Sequence, residues 1–342
     1  MFSFSKQSPG SISFAVLLLL LLPLLALTFL IIFYTQDDFR LLPSFTACSS
    51  TPSSFSSFDN SSSAAASPTP PPEFRLLIGV ITHPDYFERR QLLRMVYSLQ
   101  QEQPNLLGAQ VDVRFVLCNL TTEEQRVFVA LEIMRYDDII ILDCAENMDD
   151  GKTYTYFASL PTLFNGTGDG SEKGDGSTPP PPPPYDFVMK ADDDIYFRLP
   201  RLVAALRDKP REDMYLGLQE PCDDENFFPF PPFMEGMGYV VSWDLVRWIA
   251  TSDIARNDVR GPEDMWVGRW FNLADKAKNR FDAAPAMYDF RGPFEKPNCF
   301  RRDFVPDTIA VHKLKNNARW AKTLSYFEVT KALKPSKLYH IP

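Results

Sequence analysis

Between Phe74 and Leu142, short apolar runs alternate with amphipathic stretches, and that order confines the chain to few folds. Phe74–Thr82 (FRLLIGVIT) has the apolar run of a buried strand. Glu88–Gln103 has a helical pattern. Val111–Cys118 (VDVRFVLC) alternates like a strand, Thr122–Arg135 reads as a helix with Thr121 or Thr122 as its cap, and Asp138–Leu142 is a short apolar strand. A β-α-β-α-β order predicts a parallel sheet with helices on its faces. Tyr185–Met189 (YDFVM) restarts the sheet, and Pro200–Asp208 reads as the next helix, with Pro200 suited to a first turn. Further α/β pattern continues toward His340, without an internal repeat.

The N-terminal part has a different character. Residues 14–34 are apolar and uncharged, long enough for a membrane-spanning helix, with Lys6 before them and Asp37 and Asp38 after. That charge bias predicts a signal anchor with a cytoplasmic tail at 1–13 and a lumenal C-terminal side. A cleaved signal peptide is the rival, but its apolar region is usually about 7–15 residues. Residues 35–73 read as a stem, rich in Ser and Pro from Ser49 to Pro72, leaving 74–342 as the folded domain. A Gly- and Pro-rich insert at 165–184 interrupts that domain and reads as a disordered surface loop. The expected address is the Golgi membrane, single-pass type II. Asn60, Asn119 and Asn165 each stand in an N-x-[ST] sequon, which gains weight from a lumenal placement.

Formal net charge is −9, which argues against nucleic acid as a partner, because phosphate neutralisation needs a basic face. The five cysteines form no C-x-x-C pair, so zinc spacing is absent. Their pairing cannot be read from the sequence, nor can the oligomeric state.

The chemistry concentrates at Lys190-Ala191-Asp192-Asp193-Asp194-Ile195-Tyr196, directly after the strand YDFVM. Three adjacent carboxylates repel unless they are solvated or neutralised. Open α/β sheets place ligands at strand C-termini, and Mn²⁺ or Mg²⁺ shared with a diphosphate is the natural neutraliser. The plainer alternative is a solvated acidic turn capping a helix.

Further motifs lie in a fixed order around this one. They are Arg89-Arg90-x-x-x-Arg94, Tyr136-x-Asp138-Ile139-Ile140 with Asp143, Lys152-Thr153, Gly236-Met237-Gly238-Tyr239-Val240-Val241-Ser242, and Glu263-Asp264-Met265-Trp266-Val267-Gly268. Together with the acidic triplet they resemble glycosyltransferase family 31, the β-1,3-galactosyltransferase and N-acetylglucosaminyltransferase family. The resemblance spans Leu76 to His312. Val96-Tyr97 and Met265 depart from the family pattern, and these departures bear on donor and acceptor rather than on reaction class. The Pro-rich stem and the style of the motifs point to a plant member.

The resemblance implies a GT-A-type, Rossmann-like mixed sheet with helices on both faces. It also implies metal-dependent, inverting transfer of a hexose, galactose first, from a UDP-sugar to a glycan or glycoprotein hydroxyl in a β-1,3 linkage. Asp192, Asp194 and His312 would hold the metal, neutral imidazole being a suitable ligand. Asp264 would be the general base. Arg89, Arg90, Arg94, Lys152, Lys190 and Asp193 fall to the donor side. Glu263, Gly236, Gly238 and Tyr239 fall to the acceptor or sugar pocket, with Glu263 the second candidate for the base.

Each assignment has a plainer alternative. Glu263 and Asp264 both suit a helix N-terminus, where the macrodipole favours acids. His312 suits a structural role, the three arginines a solvated helix face, and the two glycines a tight turn. A catalytically silent GT-A-fold binding or scaffold subunit is the rival function, disfavoured because the triplet, the Glu-Asp pair and the histidine are all present.

Overall fold

A computed structural model describes residues 71–101, 108–164, 182–222 and 232–339. The chain divides into two units, Met1–Ser67 and Pro68–Pro342, and the described residues belong to the second.

The seven-stranded sheet runs β3-β2-β1-β4-β7-β6-β8. Its strands are β1 (Phe74–Ile81), β2 (Ala109–Leu117), β3 (Ile139–Ile141), β4 (Phe187–Asp192), β6 (Met214–Glu220), β7 (Phe233–Ser242) and β8 (Asn279–Asp282). β1 pairs parallel with β2 and β4, and β2 with β3, as the alternating order requires. β7 runs antiparallel to both β4 and β6, so the sheet is mixed. A second, four-stranded sheet runs β10-β9-β11-β5, from β10 (Arg301–Arg302), β9 (Met287–Phe290), β11 (Ala310–His312) and β5 (Tyr196–Phe197).

The helices are α1 (Phe87–Gln101), α2 (Glu123–Tyr136), α3 (Lys152–Phe164), α4 (Leu199–Leu206), α5 (Trp243–Thr251), α6 (Asp253–Asn257), α7 (Glu263–Leu273) and α8 (Asn317–Tyr326). Strand alternation decides which of them meets which face. Leu76, Ile78 and Val80 of β1 pack with Leu93, Val96 and Tyr97 of α1 and Leu202 and Leu206 of α4. Leu77 and Ile81, one residue out of phase, pack on the opposite face with Tyr156 and Leu160 of α3, Ile249 of α5 and Trp270 of α7. Helices therefore cover both faces. Thr122 caps α2 with a reciprocal capping box through Gln125.

The expected membrane-spanning helix is not upheld. Among the described residues no helix is long and apolar enough to cross a membrane. The longest, α1, has 15 residues and carries Glu88, Arg89, Arg90 and Arg94, whereas a span needs about 20 predominantly apolar residues. Residues 14–34 lie outside the described residues. The signal anchor, the single-pass type II topology and the Golgi-membrane address rested on that helix and are not carried forward. Residues 35–70 of the expected stem at 35–73, most of the insert, Asn60 and Asn165 also fall outside the described residues. Asn119 is exposed, and its amide donates to Asp143 at 3.1 Å.

Four cysteines pair, Cys118 with Cys144 and Cys222 with Cys299.

Candidate active site

The strand order places a switch point at β1. The chain winds outward through β2 and β3 on one side and returns through β4 on the other, leaving a crevice at the C-terminal ends of β1 and β4. Thr82 and the acidic triplet occupy those ends. The triplet is also the crossing from one sheet to the other, since β4 ends at Asp192 and β5 begins at Tyr196. β5 pairs antiparallel with β11, Val311 opposite Tyr196, and the Leu314 amide donates to the Asp194 carbonyl at 2.9 Å. This register carries His312 over the acidic turn.

One ligand atom each from Asp192, Asp194 and His312 lies within 4.8 Å of the others. His312 Nε2 is 3.2 Å from Asp194 Oδ1 and 3.4 Å from Asp192 Oδ2, yet makes no hydrogen bond although buried. Buried polar atoms are seldom left without a partner. An imidazole nitrogen held at ion-pair distance from two carboxylates, without a well-formed hydrogen bond to either, fits a divalent cation in place of its proton, and the oxygen-rich donor set suits Mn²⁺ or Mg²⁺. Burial alone would lower the His312 pKa, but Asp192, Asp194 and Asp289 push it up to about 11. Burial would raise the Asp194 carboxyl, yet His312 and Lys315 hold it well below the usual carboxylate range.

Asp289, which the sequence did not single out, stands behind the histidine. It lies opposite His312 in the β9–β11 pairing and sits 2.8 Å from Nδ1 through Oδ1, while Lys313 bonds its other oxygen. It is buried at 2% exposure. A carboxylate on Nδ1 fixes the ring's orientation and leaves Nε2 as the atom that could serve as a ligand.

Lys190 is fully buried beneath the site. Its ammonium donates to Asp192 Oδ1 at 2.8 Å, to the Gly236 carbonyl and to Glu263 Oε1. Tyr239 donates to Glu263 Oε2 at 3.0 Å, so Glu263 is held inside a closed network. Burial pushes Glu263 up, to about 7, against the pull of Lys190.

Asp264 lies on the next residue, in the first turn of α7 and only half-buried. Its Oδ2 accepts from the Gly236 amide at 2.9 Å, and its Oδ1 from the Met265 amide at 2.8 Å. Gly236 therefore joins the two halves of the site, with its carbonyl on Lys190 and its amide on Asp264. A Cβ there would lie 3.0 Å from Glu263 Oε1 and 3.1 Å from Asp264 Oδ2, which accounts for glycine. At Gly238 a Cβ would meet the Phe197 ring at 2.8 Å, so that position serves packing. Glu235, beside Gly236, is a further acid in this region. Burial raises its carboxyl, and the charges of Asp264 and Asp289 add to the effect.

The proposed donor-side residues divide. Arg89 reaches the crevice, donating to the Asp193 carbonyl at 3.2 Å. Thr82 donates to Asp193 Oδ2 at 2.7 Å, and Lys152, itself buried, donates to the Thr82 carbonyl at 2.6 Å and pairs with Glu146. Asp193 therefore braces the acidic turn against β1 rather than facing the triad. Arg90 is fully buried and spends its donors on Glu132 and the His83 and Pro84 carbonyls. Arg94 spends its donors on Glu132 and Asp138. A groove of about 1370 Å³ opens beside Arg89, lined also by Tyr86, Phe128, Asn317 and Trp320, and no triad residue lines it.

The site is a cation-ready triad at the switch point of a mixed α/β domain, with the Asp264 carboxylate linked to it through Lys190 and Gly236, and the chain is similar to galactosyltransferases. A family model described as Galactosyltransferase matches residues 182–280, which include Asp192, Asp194, Gly236 and Asp264 but not His312. The chain is 28% identical over 280 residues to beta-1,3-galactosyltransferase pvg3 of Schizosaccharomyces pombe, covering 71% of this chain and 72% of that protein. It is 26% identical over 243 residues to beta-1,3-galactosyltransferase 6 of Mus musculus, covering 64% and 66%. It is 25% identical over 177 residues to probable beta-1,3-galactosyltransferase 13 of Arabidopsis thaliana, covering 46% of each. A yeast, a mammal and a plant all appear, so nothing singles out a plant member. Among solved structures, the galactosyltransferase LgtC in complex with donor and acceptor sugar analogs overlaps 77% of this chain and 97% of its own. The TM-score is 0.39 at 14% identity, too loose to carry any residue across.

Proposed function

We propose that the domain transfers a hexose, galactose first, from a UDP-sugar to a hydroxyl of a glycan or glycoprotein, with inversion and formation of a β-1,3 linkage. The observation that carries this reading is a pair of acidic centres linked through the Lys190 side chain and the backbone of one residue, Gly236. Asp192 and Asp194 stand with His312 on one side, and Asp264 stands on the other, joined through Lys190 and Gly236. The names of the three curated relatives support galactose and the β-1,3 linkage.

A divalent cation held by Asp192, Asp194 and His312 would supply a Lewis acid for the charge that gathers on the departing UDP. The protein's own residues do the rest. Asp264 accepts the proton of the acceptor hydroxyl as that oxygen bonds to the anomeric carbon. The bond from that carbon to the diphosphate oxygen breaks, and its electron pair leaves with UDP. Attack from the face opposite the diphosphate inverts the configuration. The two backbone amides on Asp264 orient its carboxylate, and each oxygen keeps a lone pair for the proton. Lys190 holds Asp192 and Glu263 in fixed positions, so the two centres keep their spacing.

The test is a donor screen. The purified protein is incubated with Mn²⁺, a series of UDP-hexoses and free or protein-linked glycans, and the product linkage is read by NMR. A β-linked product is expected, with UDP-galactose the best donor. An α-linked product would contradict inversion, and turnover undiminished in excess chelator would contradict the metal's role.

A further inference from the structure

Two lysines follow His312, and they are placed differently. Lys313 is committed, its ammonium bonded to the buried Asp289. Lys315 is not. Its side chain is 66% exposed, and its ammonium lies 2.7 Å from Asp194 Oδ2 without hydrogen-bond geometry. The backbone around it is pinned on both sides. The Leu314 amide donates to the Asp194 carbonyl, and the Asn316 side chain caps α8 through the Arg319 amide at 3.0 Å. A long, exposed side chain on a fixed backbone can swing while its root stays at the rim of the triad.

Its present partner, Asp194, is one of the carboxylates that a cation would claim, and an ammonium beside that ion would be repelled. Three protein ligands leave a divalent ion with open positions, which diphosphate oxygens fill in sites of this kind. An ammonium displaced from Asp194 by the ion would then find phosphate oxygens within its reach. Charge-assisted bonds from lysine to phosphate are among the stronger hydrogen bonds, and lysine's flexible stem allows the exchange.

We propose that Lys315 is a diphosphate-binding residue that leaves Asp194 when the cation arrives and closes on the nucleoside diphosphate. This rests on the transfer reading above. Lys315 has two opposed effects: it competes with the metal before the nucleotide binds and clamps the nucleotide afterwards.

Calorimetry on the full chain separates them. The variants are Lys315→Met and Lys315→Arg, and the probes are Mn²⁺ alone and UDP in saturating Mn²⁺. Lys315→Met should bind Mn²⁺ alone at least as tightly as the parent protein. Its UDP affinity should fall about 10- to 100-fold, as expected for a lost hydrogen bond between charged groups. Lys315→Arg should recover most of that loss. The inference is overturned if Lys315→Met binds UDP as the parent does, or if it loses Mn²⁺ and UDP in the same proportion, which would mark Lys315 as a support of the triad. If the parent protein itself fails to bind UDP with Mn²⁺, the transfer reading has failed and the inference falls with it. The parent titration alone distinguishes that case.

Discussion

His312 and Asp289 lie opposite one another on paired parallel strands, 2.8 Å apart from Nδ1 to Oδ1, and this contact turns Nε2 toward Asp192 and Asp194. The ring is held from behind by a buried acid that Lys313 also bonds. Asp289→Asn should therefore weaken Mn²⁺ binding about 10- to 100-fold, the usual cost of disturbing a ligand's supporting partner. Calorimetric titration with Mn²⁺ measures this, and an unchanged affinity would mean that His312 is oriented by something else.

The same cluster sets a pH dependence. With no cation bound, the surrounding carboxylates raise the His312 pKa from 6.5 to about 11, so the ring is an imidazolium at neutral pH. A metal must displace that proton. Mn²⁺ affinity should rise with pH between about 6 and 8, with release of about one proton per ion. Titrations in buffers of different ionisation enthalpy count the proton. In metal-free protein the folded pKa is the higher one. The imidazolium's contribution to stability is then complete below pH 6.5 and is lost as pH rises toward about 11. Metal affinity that falls as pH rises would contradict this arrangement.

Lys190 tests the buried network. It is fully buried with three acceptors, so Lys190→Met leaves Asp192 and Glu263 facing each other without a cation. Removing one partner of a buried ion pair costs about 3–5 kcal/mol. Denaturant unfolding should show a loss of that size, with part of it recovered in the double variant Lys190→Met, Glu263→Gln. A loss under about 1 kcal/mol would mean that the network is better hydrated than its burial indicates.

Much of this architecture is legible in the chain itself. The alternating runs from Phe74 to Leu142 locate three strands and two helices to within a few residues, because period and burial coincide there. The acidic triplet announces itself by following an apolar strand. Other parts escape for physical reasons. α3 carries Pro161 and a mixed aromatic pattern, which hides its helical period. Asp289 sits in a four-residue strand, and only the pairing of β9 with β11 brings it to His312. Arg90 and Arg94 look like a basic nucleotide pocket, but Glu132 and Asp138, about 40 residues away, absorb them, and no local signal reveals that. Lys190, next to the triplet, reads as a donor-side residue until Glu263 is seen closing over it. The apolar run at 14–34 suggested a membrane address that no described helix supports.

The central claim is that Asp194 and Asp264 do different work, and one paired measurement tests it most directly. Calorimetry of UDP with Mn²⁺ is run beside a transfer assay on Asp194→Asn and Asp264→Asn. Asp194→Asn should lose both binding and transfer. Asp264→Asn should keep UDP binding within a few-fold of the parent protein. Its turnover should fall about 10²- to 10⁴-fold, the range for a lost general base. Loss of UDP binding in Asp264→Asn as severe as in Asp194→Asn would place Asp264 with the metal or the fold. Near-normal turnover in Asp264→Asn would move the base elsewhere.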